Sequence, residues 1–263
     1  MYGESTDATF LDADLQDWVF DTWTWLMSEF GGMARIRWTK LALPTTDFFP
    51  RTTTQGHDRA VYLLERVKIL MDMADWSCVL EPSFIPLAED QAVPDEEAPS
   101  DDTAEDDSGG GDEADEGKKD KASVDEPFVI GYGPNLLANP SALIAKLALC
   151  RLSRSQSDVP GDDDELGAVA ELTLVFFGMG VFGANTACEY EAQMSVRYRS
   201  HSITPTYLSE PTWAFANTLL CALKDVEPPF SHLQSSMAEL TNDAVKYLQR
   251  NEALLEPLRK IAS

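Results

Sequence analysis

The sequence predicts a mostly helical α+β fold, and three observations carry that prediction. Apolar residues recur at helical spacing over several long stretches. Only the short runs 34–43, 78–87 and 128–132 read as extended, and the two most apolar helices, 142–155 and 165–190, lie centrally in the chain. The expected architecture is therefore a small mixed or antiparallel sheet packed with five to seven helices, in a single domain spanning 1–263.

In chain order, 12–30 places Leu15, Trp18, Val19, Trp23, Leu26, Met27 and Phe30 near one helical face. The reading is an amphipathic helix packed on the core and ended by Gly31-Gly32. Residues 34–43 alternate as a short strand would, and 44–50 is a loop pinned by Phe48-Phe49. The next helix, 56–73, carries apolar Val61, Leu64, Val67, Ile69, Leu70 and Met73, with Asp58, Arg59, Glu65, Arg66 and Lys68 outside. In 78–87, Pro82 and Pro86 restrict the strand to a sheet edge.

The tract 88–126 is different in kind. It has 17 acidic residues against three lysines and almost no large apolar side chain, so it cannot bury enough surface to offset the entropy of ordering. It is expected to be a disordered acidic insertion. The strand 128–132 follows, and then the two central helices, the first starting at Asn139-Pro140-Ser141, where a Ser or Asn side chain can cap. The span 166–188 is long enough for a membrane helix, but Glu171, Asn185 and four glycines oppose that reading. Residues 206–223 form a helix capped at Ser209 with Glu210-Pro211 in its first turn. A turn at 225–231 and helical runs at 233–250 and 252–261 complete the chain.

Four segments carry a resemblance: LIAKLALCRLS (143–153), ALPTTDFFP (42–50), ELTLVFFGMGVFGAN (171–185) and TYLSEPTWAFANTLLCAL (206–223). In their order along the chain they resemble a family of uncharacterised bacterial proteins with a zincin-type, gluzincin-like metallopeptidase motif. In such a motif two histidines one helical turn apart bind zinc, and a glutamate beside the first activates the metal-bound water. The matching positions here are Leu149 for the first histidine, Cys150 for the glutamate and Ser153 for the second histidine. The family's third ligand, a carboxylate on the next helix, corresponds to Glu171. Leucine cannot bind zinc and one carboxylate cannot hold it, so the resemblance implies a zincin-like fold that has lost its active site, a pseudoenzyme with no cofactor.

Glu171 sits on an otherwise apolar helix, where an unpartnered acid would be costly. Its expected role is structural, with Arg151 or Arg154 of the preceding helix as partner. The alternative is a hydrolase rebuilt around Glu171 and Cys150. His57, His201 and His232 are scattered, without metal-ligand spacing, and the four cysteines at 78, 150, 188 and 221 form no CxxC pair. A net charge of −25, of which the acidic tract carries −14, argues against nucleic-acid and anionic-membrane partners. With no signal-peptide pattern at the start, the expectation is a cytoplasmic protein acting on a protein partner.

Overall fold

The computed structural model describes residues 9–82, 126–133, 140–195 and 206–262. Helix α1 (Ala13–Phe30) starts where the Asp12 carboxylate accepts from the Asp14 N–H and ends at Gly31 with φ 100°. Val19, Trp23, Leu26 and Met27 are fully buried, so the tryptophan stripe is core. Around them, Trp23 meets Phe176 edge-on at 5.9 Å, and Phe30 lies 5.4 Å from Phe177.

The strand expected over 34–43 is not formed. Gly31 turns the chain directly into a short helix, α2 (Gly32–Trp38), followed by residues without regular structure. A run this short fits either period, and long-range contacts decided. Lys224 Nζ donates to the last carbonyls of α2, at Ile36 (2.9 Å) and Arg37 (3.2 Å), and the Met33 N–H donates to the Ile261 carbonyl. The 44–50 loop is pinned as expected: Phe49 packs edge-on against Phe182, and the Arg66 guanidinium donates to the Phe48 carbonyl.

Helix α3 (Gly56–Leu70) buries Ala60, Leu63, Leu64 and Val67. Lys68, expected outside, continues that stripe and is buried with its Nζ on Glu65 at 2.9 Å, whereas Val61 and Ile69 lie off the stripe and are exposed. Strands β1 (Cys78–Pro82) and β2 (Phe128–Tyr132) pair in register from Cys78↔Phe128 to Pro82↔Tyr132, and they run parallel, where the sequence left a mixed or an antiparallel sheet open. The intervening connection is long enough to return the chain to the starting end, as parallel pairing requires. Residues 83–87 of the expected first strand, and the acidic tract up to residue 125, lie outside the described residues.

Helix α4 (Ser141–Ser153) forms as predicted and buries Leu143, Ile144, Leu147, Ala148 and Leu152. No side chain caps it; the Ser141 hydroxyl donates instead to the Phe182 carbonyl at 3.5 Å. The second central helix is not one helix but two, α5 (Leu166–Phe176) and α6 (Gly180–Ser195). They are separated at Gly178, whose φ is 82°. There the 39–42 segment crosses: the Ala42 N–H donates to the Gly178 carbonyl at 2.7 Å, and a Cβ on Gly178 would lie 2.0 Å from the Lys40 carbonyl oxygen.

Past the break, Gly183 lets the Trp213 ring approach, since a Cβ there would fall 2.0 Å from it. Asn185 holds the turn before the next-to-last helix, its Nδ2 donating to the His232 carbonyl and its Oδ1 accepting from the Gln234 N–H. Helix α7 (Glu210–Lys224) is capped by Ser209, whose Oγ accepts from the Thr212 N–H. It packs with α8 (Ser235–Arg250). The last run is interrupted into a 3₁₀ turn, Glu252–Leu255, and α9 (Glu256–Arg259), with Pro257 in the first turn of α9. The described residues therefore hold more and shorter α-helices than expected around one shared core.

Substituting Gly178→Ala tests the crossing. A side chain at positive φ with no room for its Cβ should lower stability by about 2 kcal/mol or more in urea unfolding, against under about 1 kcal/mol for an ordinary exposed Gly→Ala change. A neutral Gly178→Ala would mean that the crossing is not rigid.

Candidate functional site

The positions matched to the metallopeptidase motif lie on α4 and α5 and do not converge. Leu149 is on the outer face of α4 with 41% of its surface exposed. Ser153 is also exposed, and its hydroxyl donates to the Cys150 carbonyl of its own helix at 2.9 Å. Cys150 is half-buried against the core, and burial pushes its thiol up to about 11, so at neutral pH it is protonated and a poor nucleophile.

Glu171 is 7% exposed on α5. Each of its oxygens accepts from the Tyr207 N–H at 3.1 Å, and Oε2 also accepts from the Leu208 N–H at 2.7 Å. The carboxylate thus holds the 206–208 segment that leads into the Ser209 cap of α7. Tyr207 lies over Gly167, one turn earlier on α5, where a Cβ would stand 2.4 Å from the ring. Burial pushes the Glu171 carboxyl up to about 7, and the two backbone donors offset only part of that rise.

The expected partners of Glu171 are elsewhere. Arg151 lies over the rings of Phe30 (4.9 Å), Trp76 (5.1 Å) and Phe177 (5.7 Å). Arg154 lies over Trp76 (4.8 Å) and Phe128 (4.5 Å), and Arg35 over Phe177 (4.7 Å). Planar guanidiniums stack on rings, and Phe30 of α1, Phe177 just past α5, Trp76 before β1 and Phe128 of β2 reach α4 on this side. This arginine–aromatic cluster was missed in the sequence. Its one signal is the i, i+3 pair Arg151 and Arg154 at the end of a largely apolar helix.

His57 Nδ1 lies 2.8 Å from the Tyr132 hydroxyl, His232 contributes its backbone carbonyl to Asn185, and His201 is outside the described residues. Among the described residues no group of three His, Cys, Asp or Glu side chains is placed to hold a metal ion, and all four cysteines are free thiols. A groove of about 370 Å³ between α7, α8 and the 252–259 segment is lined by Cys221, Leu248 and Leu255 together with Asp225, Glu227 and Glu252. Its one thiol, Cys221, is pushed by burial up to about 12 and is inert. With α5 and α6 separated, no helix among the described residues is long and apolar enough to cross a membrane. Set against known proteins, the chain matches no family, no curated protein and no solved structure.

The Glu171 environment has a signed pH consequence. Its folded carboxyl is raised from the ordinary 4.5 to about 7, so the folded state holds the extra proton between these values. The associated stability is fully present below 4.5 and is lost as pH rises through 7, with a slope of up to about 1.4 kcal/mol per pH unit. The uncharged variant Glu171→Gln should therefore gain on the wild type by about 2 kcal/mol between pH 5 and pH 8 in urea unfolding. A constant gap across that range would show that Glu171 ionises normally.

Proposed function

We propose that this chain is a non-catalytic interaction or structural protein, a cytoplasmic pseudoenzyme on a degenerate metallopeptidase-like scaffold that works with a protein partner. The observation that carries the reading is the divergence of the motif positions. Leu149 and Ser153 face outward, the Cys150 thiol stays protonated, and both oxygens of Glu171 are committed to backbone N–H groups. Hydrolysis needs a nucleophile or metal-bound water within hydrogen-bond reach of a base. A carboxylate engaged in holding a loop does not offer that.

The competing reading is a hydrolase rebuilt around Glu171 and Cys150, and one observation favours it: a carboxyl near 7 is suited to proton transfer at neutral pH. Against it, no hydrogen bond joins the two side chains, and desolvation rather than a catalytic partner raises each of them. The membrane-associated alternative loses its premise with the break at Gly178.

Metal content separates the readings. Elemental analysis of the purified protein should return well under one zinc per chain, and a chelator should leave the melting midpoint unmoved. About one zinc per chain, with a midpoint lowered by chelation, would overturn the pseudoenzyme reading.

A further inference from the structure

In a chain of net charge −25, three arginines gather over one aromatic floor. Phe177 lies under both Arg35 and Arg151, Phe30 and Trp76 also lie under Arg151, and Trp76 stacks on Phe128 at 5.7 Å. The rings occupy the guanidinium faces and leave the in-plane N–H edges as the only polar outlets.

Among the described residues, those edges are poorly matched by carboxylates. Asp72 pairs with Arg35 Nη1 at 3.3 Å. Glu29, the other acid near Arg151, accepts from the Gln156 and Ser157 N–H groups and the Ser157 hydroxyl. Arg151 makes no hydrogen bond to the described residues, and its Nε and that of Arg35 are buried without a partner. Burial and the neighbouring Arg35 both disfavour the charge on Arg151, and Asp72 and Glu29 compensate only through space. A guanidinium with an unmet donor that shares a ring with a second guanidinium calls for an added anion.

We propose that Arg151 and Arg35 form an oxyanion site on the Phe30–Trp76–Phe177 floor that takes the phosphate group of a small molecule. Two guanidiniums that share the Phe177 ring present more donors than the two oxygens of a carboxylate can accept, whereas phosphate offers several oxygens and up to two charges. The acidic chain excludes nucleic acids and anionic membranes by long-range repulsion. A small anion avoids most of that at about 0.15 M salt, where charges more than about 8 Å away are screened. The site makes no use of the motif positions on α4 and α5, so it stands independently of the pseudoenzyme reading.

The test is equilibrium dialysis of the full chain against labelled inorganic phosphate at fixed ionic strength. About one phosphate per chain should bind saturably, and Arg151→Lys, which keeps the charge but loses the planar fork, should weaken binding tenfold or more. Arg35→Lys should also weaken it, while Arg250→Lys on the remote exposed surface of α8 should not, and acetate should compete far less well than phosphate. No saturable uptake, unchanged binding in Arg151→Lys, or acetate competing as well as phosphate would each overturn the proposal. If Arg151→Lys loses its near-UV circular dichroism, protection of wild-type Arg151 from butanedione by phosphate, read by mass spectrometry, decides instead: protection supports the site and its absence overturns it.

Discussion

At Gly178 two backbone segments far apart in the chain come into direct hydrogen-bonded contact, and the other elements are placed by that crossing. The 39–42 segment can approach only because residue 178 has no Cβ and takes a φ of 82° that other side chains resist. The break directs α5 toward the aromatic residues of α1 and sends α6 beneath α7, where Gly183 and Trp213 meet. Lys224 and Ile261 then close the two ends of α2, so the first and last parts of the described chain support one another.

Glu171 has a second organising role. Removing a carboxylate from water is costly, and here part of the cost is offset by holding a segment whose backbone N–H groups would otherwise lack partners. The same residue is the only one of the four motif positions that is both acidic and buried, and the structural role expected of it holds with backbone N–H groups in place of the expected arginines. In the fold its oxygens are turned to the 206–208 segment and not toward Cys150 or Ser153.

Much of the helical part of the structure was legible, for physical reasons that can be named. Helices α1, α4 and α7 have long apolar stripes with identifiable ends, the αL Gly31 and the Ser209 cap among them. The 34–38 run was misread because its few residues suit both periods and its helix is held by Lys224, 187 and 188 residues away. Lys68 was placed outside by its charge, although its position on the buried stripe of α3 outweighs that once Glu65 pairs with it. Of the candidate site, the sequence identified Glu171 as a buried acid, but its partners are backbone groups, which leave no trace in a pattern of side chains. The arginine–aromatic cluster was hidden for a related reason, since it draws Arg35, Arg151 and Arg154 and their rings from separate elements.

What the sequence by itself determined is local: the helical periodicity, the ends of α1 and α7, the glycine positions, and the acidic composition. These follow from neighbours a few residues apart along one chain. Only the tertiary structure decided that the most apolar helix breaks in two, that the strands run parallel, that Glu171 binds a loop, and that three arginines share one aromatic floor. Each of those outcomes depends on groups far apart in sequence competing for the same buried space and the same hydrogen-bond donors, and that competition is settled only when the core packs.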